Sequence, residues 1–301
     1  MLEWFRCPDG KLMTIKDCLK CVGSCRHGET CLSQPTRYEI SREREWSGKP
    51  STTQLLNGTM LEFLKLTKPY AIDPDGMMFA LLGTRHHQQL EVSAKTLGLP
   101  SEVALTGGDR DIIDLLEPDG VGGYILTDMK TWGSYRVAKA LGIVAGGKVP
   151  DPSGELYKAS GAWGKAGTPK MVNRFIVDKS KAENIEAELQ LNHYRLLFEE
   201  KFHLTISKMR LQVVVRDGGL QVANGRGITR NSYIIPIAKM DDDKVRSYFH
   251  NKEVDLLQAL SQGSWDTPCS NFECWDGNRC REYCDVWQFC PKGIIERGDK
   301  P

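Results

Sequence analysis

Asp128 and Lys130 stand two residues apart at the end of the apolar run YILTDMKTW. In an extended strand that spacing puts both side chains on one face and turns Met129 the other way, into the core. Mg²⁺ prefers hard oxygen ligands, and two or more carboxylates are needed to hold it. A lysine beside such a site can orient water or stabilise charge growing on a phosphate. The pair alone is weak evidence, since a surface ion pair satisfies the same spacing. A second carboxylate strengthens it. Asp114 lies in IIDLL, fourteen residues upstream, and the turn-forming PDGVGG predicts a hairpin that brings the two segments side by side. Asp111 competes with Asp114 for that role. At odd spacing along a strand the two should not share a face, so one of them is expected to be solvated.

The elements that must position these groups follow from patterning. A helix is expected after Pro50, with Leu55, Leu56, Met60, Leu61 and Leu64 at helical spacing, and a second from about 76 to 97. The hairpin comes next, then a helix in GSYRVAKALGIV. Residues 146–170, rich in Gly, Pro and Ser, read as an irregular, substrate-facing loop. A helix is expected to begin at Ser180, with Ser180 and Glu183 as a capping box. On it Gln190 and Tyr194, four apart, share one face. HLTISKMRLQVVVRDG and SYIIPIAKM supply later strands, and DDDKVRSYFHNKEVDLLQALSQG a last long helix. This alternation indicates an α/β or α+β core.

All ten cysteines lie at the chain ends: Cys7, Cys18, Cys21, Cys25 and Cys31, then Cys269, Cys274, Cys280, Cys284 and Cys290. The C-x3-C-x5-C spacing of Cys21, Cys25 and Cys31 recurs at Cys280, Cys284 and Cys290. In a reducing compartment such clusters read as metal ligands. Cys18, Cys21, Cys25 and Cys31 form the N-terminal candidate set, within a segment too short to fold without a staple. Thiolate chemistry alone does not separate zinc from iron–sulfur.

Taken together, IIDLLEPDGVGGYILTDMKTW resembles the core of PD-(D/E)XK nucleases, in particular the RecB-type exonuclease branch that includes CRISPR-associated iron–sulfur enzymes. Two further pieces stand in the expected order: GTRHHQQLE is similar to the G-x-x-x-H motif at Gly83 and His87, and QLNHY to the Q-x-x-x-Y motif at Gln190 and Tyr194. The likeness covers roughly residues 50–240. It implies a central mixed sheet flanked by helices, with Asp114, Asp128 and His87 binding Mg²⁺ or Mn²⁺. Lys130 would activate water, and Gln190 and Tyr194 would steady the shell or the DNA. A neutral imidazole tolerates Mn²⁺ as well as Mg²⁺. His86, about 100° away on the helix, is not expected to be a ligand. CREYCDVWQFCP resembles the family's three-cysteine tail for a [4Fe–4S] cluster, although its first gap is longer and LNGTMLEFL carries no upstream cysteine. The expected cluster set is Cys274, Cys280, Cys284 and Cys290, with Cys269 and the N-terminal five as alternatives to Cys274.

The formal charge of +1 argues neither for nor against nucleic acid, but Lys130–Lys181 holds ten Lys or Arg against three Asp or Glu. That local excess suits a polyanion. GIVAGGKV mimics a P-loop, yet Val149 stands where Ser or Thr would bind Mg²⁺. The start MLEWFRCPDG has no apolar core of a signal peptide, and no run of about eighteen apolar residues occurs, so the expectation is a cytoplasmic protein without a membrane partner. The expected organisation is a Cys-rich segment over 1–34, a nuclease core over 35–262 and a Cys-rich segment over 263–301. The expected activity is hydrolysis of DNA from single- or double-stranded ends, in recombination, repair, CRISPR adaptation or phage DNA metabolism. The expected assembly is a homo-oligomer or a complex with a recombination or CRISPR partner. The rival readings are an inactive DNA-binding scaffold and an iron–sulfur redox or sensing protein.

Overall fold

The computed structural model describes residues 1–8, 10–21, 31–43, 45–107 and 110–298. Cys25 lies outside the described residues. The fold is mixed α/β. Its strands are β1 (Leu2–Arg6), β2 (Leu12–Thr14), β3 (Tyr70–Ile72), β4 (Ser101–Ala104), β5 (Ile112–Pro118), β6 (Tyr124–Trp132), β7 (Ile143–Pro150), β8 (Met171–Val177), β9 (Ile206–Val215) and β10 (Ser232–Ile237). The helices are α1 (Ile15–Lys20), α2 (Gln34–Ile40), α3 (Thr52–Leu56), α4 (Thr59–Thr67), α5 (Met78–Thr96), α6 (Ser134–Leu141), α7 (Ile185–Phe202), α8 (Gln221–Asn224), α9 (Asp242–Gln262) and α10 (Pro291–Arg297).

The central sheet runs β10-β9-β6-β5-β4. β6 and β9 are parallel and the other neighbours antiparallel. β6 is buried on both faces through Leu126–Met129, whereas β9 alternates, burying Met209, Leu211, Val213 and Val215 and turning Arg210 and Gln212 outward. Leu126, Leu211 and Val213 are sealed against Val137 of α6 and Leu191, Tyr194 and Phe198 of α7. Each fully buried aliphatic side chain contributes roughly 1.5–3 kcal/mol. Met129 and Leu115 pack with Ala94, Leu90 and Leu99, the first two of these on α5. The predicted alternation therefore holds: Met129 enters a core, and Asp128 and Lys130 do not follow it.

The chain ends meet in a second core. The three-stranded sheet β2-β1-β3 joins the N-terminus to Tyr70–Ile72. Phe5 and Cys18 share a cluster with Leu61 of α4, Leu256 of α9 and the C-terminal Val286 and Cys290.

Three elements differ from the sequence expectation. The helix after Pro50 is broken into α3 and α4 at Asn57–Gly58, where α4 starts on Gly58. Ser51 and Gln54 form a reciprocal capping box on α3 instead. The long helix starts at Ile185, because both members of the expected Ser180–Glu183 box are engaged elsewhere. Ser180 donates its N–H (3.0 Å) and hydroxyl (2.6 Å) to Asp178, and Glu183 pairs with Lys139 at 2.8 Å. The third difference lies in residues 146–170, which are not one irregular loop. Their first part completes β7, which pairs with β8 as a separate two-stranded ribbon.

Candidate active site

The site forms where the hairpin opens. β5 and β6 are paired from Pro118↔Tyr124 to Leu115↔Thr127 and no further, whereas β6 stays paired with β9 out to Trp132↔Val215. Past that point side chains take over from the missing ladder. The Met129 N–H donates to Asp114 Oδ2 at 2.6 Å, and the Met129 carbonyl lies 2.7 Å from His87 Nε2. His87 Nδ1 is 3.5 Å from Asp114 Oδ1. A buried backbone group left unpaired costs about as much as a lost hydrogen bond, so these contacts make the opening tolerable. The hydrogen bond to Asp114 raises the His87 pKa above its ordinary value, against the effect of burial.

Asp128 and Lys130 form an ion pair at 2.7 Å between Nζ and Oδ2. Burial pushes the Asp128 carboxyl up, and Asp114 adds to that, while Lys130 pulls against it. Burial works against the Lys130 ammonium as well, but Asp128 outweighs it and holds the lysine above its ordinary pKa. Lys130 also lies 3.5 Å from Gln190 Oε1, and Gln190 Nε2 donates to the Tyr194 hydroxyl at 3.2 Å. Burial raises the Tyr194 pKa, which keeps the phenol neutral. All six expected residues thus meet: His87 from α5, Asp114 from β5, Asp128 and Lys130 from β6, and Gln190 and Tyr194 from α7. Gly83 has a steric reason too: a Cβ there would stand 3.3 Å from Thr131 Oγ1, so glycine lets α5 approach β6. The His86 ring lies edge-on to His87, 6.4 Å between centroids.

The competition between Asp111 and Asp114 resolves differently from the expectation that one is solvated. Asp111 is only 4% exposed. It accepts the Thr52 N–H at the start of α3 at 2.7 Å and the Thr106 hydroxyl at 3.0 Å. It caps a helix from a distance, and both carboxylates are enclosed.

Sequence reasoning missed Glu102. Ser101 pairs with Leu115 and Val103 with Ile113, so Glu102 falls opposite Asp114. Its φ of 49° is left-handed, a conformation that costs a non-glycine residue roughly 1–2 kcal/mol. Ligand atoms of His87, Glu102 and Asp114 all lie within 4.8 Å of one another, a grouping with no second example among the described residues. Burial and the nearby Asp114 raise the Glu102 pKa, as expected for crowded carboxylates with no cation between them. The donor set, one imidazole and hard oxygens, fits Mg²⁺ or Mn²⁺. The signal that could have found it is the short SEVA segment after Pro100, which is not among the strands expected from sequence.

The C-terminal cysteines share one neighbourhood. Burial and then Cys274, Cys284 and Cys290 push the Cys280 thiol up to about 11, and burial does the same to Cys269. Cys269 occupies the space of an absent side chain: a Cβ on Gly58 would lie 2.2 Å from its sulfur. Cys269 thus packs against the LNGTMLEFL segment at the start of α4. Cys274, the ligand expected from sequence, lies against Lys292, whose ammonium donates to the Cys269 carbonyl at 2.8 Å. At the N-terminal end, Arg37 reaches Cys18 Sγ at 3.6 Å and the Cys21 carbonyl at 2.9 Å. Cys31 is exposed, though its charge is felt at Cys18. No three of the described cysteines draw their sulfurs within 4.8 Å of one another.

No family model matches the chain, and no curated protein matches it. Among solved structures, that of SSO0001 is similar over 92% of this chain and 95% of that one, at 16% identity and a TM-score of 0.38. A likeness of that size carries no functional argument. Among the described residues no helix is long and apolar enough to cross a membrane.

Proposed function

We propose that the protein is a divalent-metal-dependent nuclease of the PD-(D/E)XK type that hydrolyses DNA from its ends. The observation that carries this reading is the convergence at the hairpin opening. Asp114, His87 and Glu102 gather their ligand atoms there, and β6 adds the Asp128–Lys130 pair at 2.7 Å. His87, Glu102, Asp114 and Asp128 would hold the cation, with Mn²⁺ accepted beside Mg²⁺ because one donor is an imidazole. A divalent ion in such a site supplies Lewis-acid stabilisation of a phosphate and makes water a nucleophile near neutral pH. Lys130, kept charged by Asp128, stabilises negative charge developing on the phosphate. Gln190 holds Lys130 in place and is itself held by Tyr194. Asp114 and His87 are fixed by the backbone of Met129, so the site is preorganised before substrate arrives.

The test is degradation of 5′- and 3′-labelled linear DNA, single- and double-stranded, with Mg²⁺ or Mn²⁺, comparing wild type with Asp128→Ala. Shortening by the wild type alone supports the reading, and the label lost first gives the polarity. Two folded, metal-loaded and inert proteins would overturn it.

The crowded C-terminal thiols support a second, structural role: a thiolate-held group that staples the C-terminal segment, where Cys269 packs against Gly58 at the start of α4. Four such thiolates would hold either a zinc ion or a [4Fe–4S] cluster, since both accept four cysteines. Cys280, Cys284 and Cys290 are the proposed ligands, with Cys274, the first of the neighbouring thiols felt at Cys280, and Cys269, beside Gly58, competing for the fourth place. Iron and sulfide content of the purified protein decides between the two groups.

A further inference from the structure

The β7–β8 ribbon is the least explained part of the molecule. It pairs with no other sheet, and a two-stranded ribbon alone is marginally stable in water. Here both ends are built. At the base, Gly227 presses on Phe175 and Ile143, so closely that a Cβ would stand 2.8 Å from Phe175 Cβ and 2.9 Å from Ile143 Cγ2. At the tip, Gly161 and Gly164 exchange backbone hydrogen bonds of 2.9 and 3.2 Å around a two-residue turn whose second residue is Trp163. The Tyr157 ring lies under that turn, 2.3 Å from where a Cβ on Gly164 would be. Tyr157 is fixed in turn by backbone bonds to Thr168 and Gly167, each of 2.9 Å.

This ordered apex leaves Trp163 83% exposed. An indole held in water on a well-braced turn has no packing role in the chain itself, and with unpaired cations beside it offers a flat face for stacking. The charges around it are mostly positive, five Lys or Arg against two Asp or Glu over residues 143–177. Lys148, Lys158, Lys165 and Arg174 are exposed and form no ion pair among the described residues. The two acidic residues of the ribbon are already engaged: Glu155 binds Lys170, and the Asp151 carboxylate accepts the Ser153 N–H at 2.8 Å. The ribbon follows the active-site strand directly through α6, and at the end of β6 Arg136 lies over Trp132 at 5.2 Å.

We infer that the β7–β8 ribbon is a single-stranded nucleic-acid arm, in which Trp163 stacks on an unpaired base and Lys148, Lys158, Lys165 and Arg174 hold the neighbouring phosphates. Unpaired cations beside an exposed aromatic plane are the recognition chemistry of single strands, where stacking tolerates any base and phosphates supply salt-dependent affinity. The choice of ligand rests on the nuclease reading; the arm's geometry does not.

The test separates the two. In the Asp128→Ala background with EDTA, binding of a fluorescein-labelled oligothymidylate and of a duplex of equal length is followed by anisotropy across salt concentrations. Trp163→Ala is expected to weaken single-strand binding about 5- to 150-fold, the range for loss of one stacked base. Trp163→Phe should restore most of it. Lys158→Ser with Lys165→Ser should lower the slope of log affinity against log salt by about 1.4, at roughly 0.7 per phosphate. Unchanged affinity in Trp163→Ala overturns the proposal, as does binding to anionic phosphatidylserine vesicles that needs Trp163 while oligonucleotide binding does not. If wild type degrades DNA and Trp163→Ala degrades and binds it equally well, the arm fails and the nuclease stands. If Trp163-dependent binding is seen without degradation under any metal, the arm stands and the nuclease fails.

Discussion

The carboxylate of Asp114 receives the backbone N–H of Met129, the residue that follows Asp128 in the neighbouring strand, at 2.6 Å. One contact thus closes the gap where β5 and β6 part and fixes a candidate metal ligand beside the Asp128–Lys130 pair. Fold and site share that hydrogen bond, which is why the two halves of the proposed chemistry respond differently to substitution.

Asp128→Asn should reduce nuclease turnover by at least about 10²–10³-fold, the range for removing one preorganised electrostatic group. It should also lower the melting temperature, though by less than loss of the lysine, because it leaves Lys130 without its counter-charge and Lys130 is the more solvent-exposed partner (24% against 5%). Lys130→Met should be inactive as well but less stable by about 3 kcal/mol, since it strands a buried carboxylate. Thermal unfolding beside single-turnover cleavage reads both; equal destabilisation by the two variants would contradict the assignment.

Glu102 lies within 4.8 Å of the His87 and Asp114 ligand atoms and carries left-handed backbone. Glu102→Gln is expected to weaken Mn²⁺ binding roughly 10- to 100-fold in calorimetric titration, on the scale of lost metal-site support. Glu102→Gly should lose the same affinity yet gain about 1 kcal/mol of stability, because glycine adopts the left-handed region freely. Unaltered metal affinity in both removes Glu102 from the site.

Gly58→Ala tests the staple. Its Cβ would meet Cys269 Sγ at 2.2 Å and Cys269 Cβ at 3.0 Å. Overpacking of this kind costs about 1–3 kcal/mol, and displacing Cys269 should lower the iron or zinc recovered with the protein. A variant with full metal content and an unchanged melting temperature would show that Cys269 is not held there.

His193 provides an acid-sensitive point in the core. Burial lowers its pKa from 6.5 to about 4; its ring stacks on Phe249 at 3.8 Å, and Nδ1 lies 2.8 Å from the Thr52 hydroxyl. Below its ordinary pKa the unfolded chain takes up a proton that the folded chain refuses. Stability from this residue is complete above about pH 6.5 and declines as the pH falls toward 4, by up to about 3 kcal/mol. His193→Gln should flatten denaturant midpoints over that window, and an equally steep variant would assign the acid loss elsewhere.

What the sequence determined is what local periodicity determines. A period of two put Asp128 and Lys130 on one face and Met129 in the core, and a helical i, i+4 spacing put Gln190 beside Tyr194. PDGVGG made the hairpin legible as well. Tertiary structure decided everything that depends on which distant segment supplies the partner. Asp111 and Asp114 look equivalent in DIIDLL, yet one caps α3 and the other meets His87 and Met129. Ser180 and Glu183 spell a capping box, yet Asp178 and Lys139 claim them first and the helix waits until Ile185. Cys269 fills the space beside Gly58, more than two hundred residues away in the chain. Glu102 joins the site only through a backbone turn that strand patterning excludes. Spacing along a chain fixes direction within an element, whereas ligand sets and caps form between elements, where burial and unpaired backbone groups select the partner.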